Sequence, residues 1–200
     1  MTQDPTPTRA READAIAEQY VVDIAAADPI LATFSGIAGH EDQLPDYTPD
    51  GYAARAEVLR RARAEMAAAT PSDDREEVAR SSFLERADTT LALADAHQPE
   101  SVVSVVDSAL HGLRGAFDLM ATATDEDWTA ISARLAAVPR AVAEARATLL
   151  HEADHGHVSP RRQILEAAKQ ISRWTGRSGG GGDVFAQLVA QTSAAGPGAV

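Results

Sequence analysis

The stretch TDEDWTAISARLAAVPRAVAEARATLLHEADHG, residues 124–156, decides the fold because it contains the start, the inward face and the end of a long α-helix. Thr124 is a favourable N-cap residue. The apolar side chains that follow it at helical spacing are Trp128, Ile131, Leu135 and Val138. Pro139 either kinks this helix or opens the next one, and Gly156 ends the helical stretch after about His155.

The same signals predict two helices before this stretch, separated by a loop. A first helix is expected from about Arg9 to Ala27, followed by a short turn from Pro29 to Phe34. The glycines and prolines from Gly36 to Tyr47 forbid a continuous helix there. Thr48 followed by Pro49 then predicts an N-cap with proline at the first helical position, so a second helix is expected to begin at this point.

Three more segments complete the predicted helices. Asp73, with Glu76 three residues later, resembles a capping box and predicts a helix that stops near His97. The segment from Ser101 to Met120 keeps helical spacing, and Ser159-Pro160 repeats the cap-and-proline device. Only 4% of residues are aromatic, a composition that favours helices over sheets. We therefore expect an all-α fold, an irregular bundle of six or seven helices with no significant sheet.

Glycine and proline content sets the expected domain boundaries. Residues 1–8 are predicted to be a disordered lead, and residues 9–177 a single helical domain. Residues 178–182 read as a glycine-rich linker, and 183–200 as a short helix with a loose tail. The glycine tract is not a phosphate-binding loop, because Asp183 follows where such a loop has Gly-Lys-Ser/Thr.

Charge and residue usage exclude several classes of function. The formal net charge is −12 and Lys169 is the single lysine, so nucleic acid and anionic membrane surfaces are not expected partners. The chain has no cysteine, which excludes disulfides, thiolate metal sites and thiol catalysis. Residues 1–11 lack the apolar core of a signal peptide, and no segment reaches the length of a membrane span. A cytoplasmic location is the resulting expectation.

Residues 151–155, HEADH, fit the His-Glu-x-x-His pattern in which two histidines one helical turn apart bind zinc and the glutamate activates water. Catalytic zinc needs a third protein ligand. The extended form of this motif would have glycine and histidine where Val158 and Arg161 stand, and Glu166 follows too closely to fold back. Histidines at a helix end are also favoured there by the helix dipole alone. We therefore predict no catalytic, cofactor-binding or metal-binding residues, with a surface metal site at His151 and His155 as the alternative.

Other polar groups are also assigned structural roles. In the first loop, His40, Asp42, Asp46 and Asp50 could hold a hard cation, but turn and capping bonds made by the acids are the favoured interpretation. Leu44, Pro45 and Tyr47 are expected to pin this loop. The paired arginines at 60–61 and 161–162 are interpreted as solvated faces or as buried-pair partners for the excess acids, with anion binding as the alternative. Trp128 and Trp174 occupy positions typical of core packing.

Several short motifs resemble a known bacterial family, domain of unknown function 885. The first group comprises Asp28-Pro29, Ala32-Thr33, Gly36-Ile37, Gly39-His40 and residues 44–51, LPDYTPDG. The second group comprises residues 117–120, FDLM, Asp127-Trp128, Arg134-Leu135 with Pro139, and residues 161–163, RRQ. The resemblance spans about residues 9–190 and is most specific in the first loop.

The resemblance implies a mostly helical fold related to zinc-dependent peptidases of the thermolysin-like clan. That family's metal motif, His-Glu-Ala-x-Pro-Gly-His-His, lies downstream of the part that matches, so zinc is implied for the full-length family and no cofactor for this chain. The expected function is that of the family's N-terminal helical portion, without catalytic activity on its own. The alternatives are a small zinc-dependent hydrolase that uses His151, Glu152 and His155, and a stand-alone helical interaction module. Self-association or a missing C-terminal portion is the expected partner.

Overall fold

The structure is a computed structural model that describes residues 12–106, 108–177 and 183–195. Within these ranges it contains nine helices and no strand, which confirms the all-α, irregular helical prediction. The helices are α1 (Glu12–Ala27), α2 (Pro29–Ser35), α3 (Pro49–Ala68), α4 (Asp74–Asp95), α5 (Gln98–Ser101), α6 (Ala109–Asp118), α7 (Asp125–Asp154), α8 (Arg161–Trp174) and α9 (Val184–Ala195). The number exceeds six or seven because short helices form in segments where none was predicted separately.

Helix α2 occupies the segment that was predicted to be a turn, and that prediction is wrong. The Asp28 carboxylate accepts a hydrogen bond from the Leu31 backbone N–H at 2.9 Å, and Pro29 takes the first helical position. Asp28-Pro29 therefore ends one helix and also starts the next. Gly36 closes α2 in the left-handed conformation, with φ of +69°.

The segment from Ser101 to Met120 is not one helix, so that prediction is also wrong. Helix α5 ends at Ser101, residues 102–106 are not helical, and α6 starts at Ala109. The four valines in this stretch lose side-chain freedom in a helix. In addition, the Val103 N–H donates to the Ser159 hydroxyl at 2.7 Å, and that hydroxyl donates to the Ser101 carbonyl at 2.9 Å. Because Ser159 serves this loop, Pro160 takes the N-cap position of α8.

Helix α7 runs through the core as one 30-residue helix, with Pro139 inside it. The predicted Thr124 cap is confirmed: its hydroxyl accepts from the Asp127 N–H at 3.1 Å, and the Asp127 carboxylate accepts from the Thr124 N–H at 2.8 Å. One face of the helix is buried along its length, at Ile131, Arg134, Ala141, Ala145, Thr148 and Glu152. This single face carries both apolar core residues and three polar side chains.

The Arg134 side chain lies fully buried, at 0% exposure, and binds both α2 and the segment that connects α2 to α3. It donates to the carbonyls of Gln43 (3.0 Å), His40 (2.7 Å) and Pro29 (3.4 Å), and to the Thr33 hydroxyl (2.9 Å). Burial lowers the pKa of Arg134, whereas the carboxylates of Glu41 and Asp42 oppose that shift. The first loop is thus held by an interior positive charge surrounded by oxygen acceptors.

The two ends of the described chain pack differently. In α1, the Ala13 N–H donates to the buried Glu76 carboxylate at 2.8 Å, which ties the start of α1 to the first turn of α4. In α9, the Phe185 ring meets the Phe117 ring edge-on at 5.8 Å. The predicted lead at residues 1–8 and linker at 178–182 lie outside the described residues. Among the described helices, none is long and apolar enough to cross a membrane.

Replacing Arg134 with Met should strongly destabilise the fold, because three carbonyls and a hydroxyl lose a buried donor. We expect a loss of about 3 kcal/mol or more in the free energy of unfolding, measured by urea denaturation with circular dichroism. Arg140→Met is the matched control on the same helix: Arg140 is half exposed and pairs with Glu144, so its loss should be much smaller. Equal effects of the two substitutions would show that Arg134 does not hold the loop.

Candidate metal-binding site

The two histidines of the His-Glu-x-x-His motif lie exposed at the end of α7. Their ring centroids are 4.4 Å apart, and His155 Nδ1 donates to the carbonyl of His151 at 2.8 Å. Helix α7 ends at Asp154, so His155 is the C-cap and Gly156 follows with φ of +90°. The predicted position of the pair, at a helix tip, is therefore confirmed.

No third ligand joins His151 and His155 in the part of the chain that the structure describes. The single group there of three or more His, Asp or Glu donors with metal-binding proximity includes neither of them. Glu166, the one candidate named from sequence, accepts a hydrogen bond from Lys169 Nζ at 2.8 Å on the surface of α8. The motif glutamate, Glu152, is buried and turned away from the exposed pair. The donors of His151 and His155 thus do not fit catalytic zinc, which requires three protein ligands.

Glu152 instead forms a cluster with two other histidines, His97 and His157, which we call the His-Glu-His cluster. Its Oε2 accepts a hydrogen bond from His157 Nδ1 at 2.7 Å and lies 3.2 Å from His97 Nδ1. The two imidazole rings stack at 4.6 Å between centroids, with 19° between their planes. Glu152 is 3% exposed, whereas the side chains of His97 and His157 are 48% and 39% exposed.

Local backbone structure brings these three residues together. Glu152 lies on the buried face of α7, in its last turn. The left-handed Gly156 turns the chain so that the His157 N–H donates to the Glu152 carbonyl at 2.9 Å, which places the His157 ring beside the Glu152 side chain. His97 follows α4 and has φ of +55°, the one positive φ of a non-glycine residue within the described ranges. Such a conformation costs energy and is found where the surrounding structure requires it.

The charge on Glu152 reflects two opposing influences. Burial raises the pKa of its carboxyl, but the hydrogen bond from His157 and the nearby charges of His97, His157 and His151 lower it, and the lowering prevails. Glu152 is therefore a carboxylate at neutral pH. A buried carboxylate between two imidazoles is a donor set that binds divalent cations.

The spacing of the donor atoms suits a small ion after modest rearrangement. One donor atom from each residue lies within 4.8 Å of the other two, whereas the ligand atoms of tetrahedral zinc are about 3.4 Å apart. A zinc ion lies in the plane of each imidazole that binds it, so the two stacked rings must rotate apart to share one ion. Both rings are partly exposed and have room to turn.

The other predicted polar groups do not form a site. In the first loop, Asp46 accepts a hydrogen bond from the Thr48 N–H at 2.8 Å, and the bonds with Thr48 lower the pKa of Asp46. Leu44 and Tyr47 are buried, as expected of residues that pin the loop. Arg60 pairs with Asp95 at 2.6 Å and Arg61 with Asp23 at 2.8 Å; both arginine side chains are exposed, so these two lie on a solvated face and not in buried pairs. Trp128 packs against the core.

A cavity lies elsewhere in the described structure, between α1, α2, α3, α4, α5 and α6. Its volume is about 410 Å³, and we call it the tyrosine cavity because all three tyrosines line it: Tyr20, Tyr47 and Tyr52. None of the three residues of the His-Glu-His cluster lines it. The cluster and the cavity are therefore separate features.

Comparison with known proteins decides the family. The sequence matches the family described as "Bacterial protein of unknown function (DUF885)" over residues 29–197, most of the chain. The chain belongs to the DUF885 family. None of the curated proteins matches this DUF885 chain.

Sequence reasoning grouped Glu152 with His151 and His155 and predicted no metal site, whereas the structure of this DUF885 chain places Glu152 against His97 and His157. The position of His157 could have been predicted, because a glycine at a helix end directs the residue that follows it back towards the last turn. The position of His97 could not, since His97 lies 55 residues before Glu152 in the chain and reaches it only through the packing of α5 on α7. Sequence periodicity reports faces of single helices, not the contacts between their ends.

The three tyrosines should resist ionisation while the DUF885 chain is folded. Burial raises the pKa of Tyr20 and Tyr47, and it raises the pKa of Tyr52 to about 12. A raised folded-state pKa contributes stability that is present below the unfolded value near 10 and is lost as the pH rises through the folded value. Tyrosinate absorbance should therefore appear together with loss of helical circular dichroism in alkaline titration.

The chain in concentrated guanidinium chloride provides the control, in which all three tyrosines should ionise near pH 10. Ionisation near that pH with the helical signal intact would contradict the burial of these side chains.

Proposed function

We propose that this DUF885 chain is a metal-binding helical layer that holds a zinc-like divalent ion at His97, Glu152 and His157 and has no hydrolytic activity on its own. The observation that carries the proposal is the convergence of two imidazole nitrogens and one buried carboxylate oxygen within 4.8 Å of one another. The proposal differs from the sequence-based expectation of no metal ligand, because it uses His97 and His157, which lie outside the recognised motif.

The donor types favour zinc and its borderline neighbours over calcium or magnesium. Imidazole suits zinc, copper, iron and nickel, whereas calcium and magnesium prefer sites built of oxygen ligands alone. Two histidines and a carboxylate leave one tetrahedral position for a water molecule on the exposed side. Bound there, the ion would add a link between the α4–α5 connection, which carries His97, and the end of α7.

Two features support a structural role for this ion over a catalytic one. First, Glu152 would be a ligand, so it could not also serve as the general base that the motif glutamate provides in zinc peptidases. Second, none of the three residues of the cluster lines the tyrosine cavity, so that cavity does not present a substrate to the ion. Both features agree with an ion that links the α4–α5 connection to the end of α7.

We also propose that the chain corresponds to the N-terminal helical portion of a longer, zinc-peptidase-like architecture. This rests on the resemblance of the first loop and on the position of the family's own metal motif downstream of the matching part. The compact zinc hydrolase that would use His151 and His155 is the weaker reading, because both rings are exposed and lack a third donor in the described structure.

Purified chain, freed of metal by chelation, should bind one zinc ion in a calorimetric titration. His97→Ala and His157→Ala should each weaken binding at least about tenfold, because each removes one of three ligands. His151→Ala and His155→Ala are matched controls on the same helix end and should leave affinity unchanged. Zinc at about 100 times its Kd should stabilise the fold by about 2.7 kcal/mol, visible as a rise in Tm.

Two results would count against this function. Loss of zinc in the His151 and His155 variants, with binding retained in the His97 and His157 variants, would return the site to the recognised motif. Peptide or ester hydrolysis by the zinc-loaded chain, abolished by Glu152→Gln with stoichiometric zinc retained, would establish a catalytic centre.

Exposed apolar side chains around the end of α7 and on α8 bear on whether the chain is a portion of a larger fold or a stand-alone module. Leu150, Val158, Ile164 and Leu165 are all exposed. A portion normally covered by further structure should associate through such residues. We expect light scattering to show concentration-dependent association that Ile164→Glu with Leu165→Glu reduces. The matched change Arg161→Glu, on the same helix, should have a smaller effect, and one discrete species at all concentrations would favour the stand-alone module.

A further inference from the structure

The tyrosine cavity combines an apolar wall with a small number of charged groups. Its 410 Å³ falls within the range of about 300–1,000 Å³ that is typical of small-molecule sites. Aliphatic side chains from four helices line it together with the tyrosines: Ile24, Ile30, Leu31, Leu59 and Leu91. The charged residues at its wall are Asp28, Arg55 and Glu100.

Two of these three charges are already engaged. The Asp28 carboxylate caps α2 through the Leu31 N–H at 2.9 Å. The Arg55 guanidinium donates to the Asp46 carbonyl at 2.7 Å and lies over the Tyr52 ring at 4.4 Å. Neither group needs a ligand to satisfy it.

Glu100 differs from both. Its Oε2 is buried and has no hydrogen-bond partner among the described residues. Glu100 also lines the small void of about 20 Å³ that lies next to the cavity, beside Leu110 and Ala145. A buried acceptor without a donor is costly, and more so when it is charged, so this carboxylate oxygen favours a ligand that donates hydrogen bonds and carries positive charge.

We propose that the tyrosine cavity binds a small organic cation, a primary amine on an apolar body, with Glu100 as the anionic anchor. The ammonium group would donate to Glu100 Oε2, and the apolar body would lie against the aliphatic wall. Two carboxylates against one guanidinium give the cavity wall a net negative charge, which favours a cation over an anion of the same shape.

A set of three probes of similar size tests the charge requirement. Calorimetric or NMR titration of the full chain should show binding of 2-phenylethylamine with a Kd of about 1 mM or tighter. The neutral 2-phenylethanol and the anionic 3-phenylpropanoate should bind at least about tenfold more weakly, because neither brings a positive donor to Glu100.

Variants locate the site. Glu100→Gln should weaken 2-phenylethylamine binding at least about tenfold, since it removes the anionic anchor. Glu85→Gln, at an exposed acidic position of α4 outside the cavity, is the matched control and should not change the affinity. Ala94→Trp, which fills the cavity from α4, should abolish binding, and circular dichroism verifies that each variant is folded.

Three results would overturn the proposal: no amine binding up to about 10 mM, equal affinity for the alcohol, or unchanged affinity in Glu100→Gln. If Glu100→Gln does not fold, the outcome with Ala94→Trp decides, and amine binding retained in that folded variant rejects the cavity as the site.

Discussion

The fold depends on the burial of one positive charge. Arg134 places a guanidinium inside the protein without a carboxylate bonded to it, so its five N–H groups need oxygen acceptors nearby. Helix α2 supplies two of them, the Pro29 carbonyl and the Thr33 hydroxyl. The loop that follows supplies the carbonyls of His40 and Gln43, which are free because this loop is not helical. The path of this segment and the position of α7 therefore depend on the same buried hydrogen bonds.

The same face of α7 that carries Arg134 also organises the opposite end of the molecule. Fourteen residues further along, the Thr148 hydroxyl donates to the Tyr47 carbonyl at 2.7 Å, and one turn later Glu152 meets His97 and His157. In the sequence, polar side chains at these positions interrupt the apolar face of α7. In the structure they are the points where neighbouring segments attach to the helix.

Sequence alone predicts the features that are local in the chain. The caps at Thr48 and Thr124, the end of α7 beside Gly156 and the pinning of the first loop by Leu44 and Tyr47 follow from neighbouring residues, and the structure confirms them. Helix α2 was missed because Asp28-Pro29 was read only as a stop signal. The break after Ser101 was missed because spacing outweighed the weak helix propensity of the valines.

The candidate sites show where such reasoning ends. The pattern around residue 151 has the correct spacing for zinc, but helix rotation relative to the core decides which side chains face each other, and it turns Glu152 inward and the motif histidines outward. His97 and Glu100 lie in a segment whose course is set by contacts with α7 and with Ser159, more than fifty residues away. No local pattern records those contacts.

Helix α5 is only four residues long, and it lies between the His-Glu-His cluster and the tyrosine cavity. His97 precedes it and turns towards Glu152, while Glu100 lies within it and borders the cavity. So short a helix has no core of its own, and its position depends on the elements it packs against, α4 and α7 among them. An ion bound at His97 and an organic ligand bound at Glu100 would therefore both contact residues of the same short segment. Any factor by which one changes the affinity for the other must be the same in both directions.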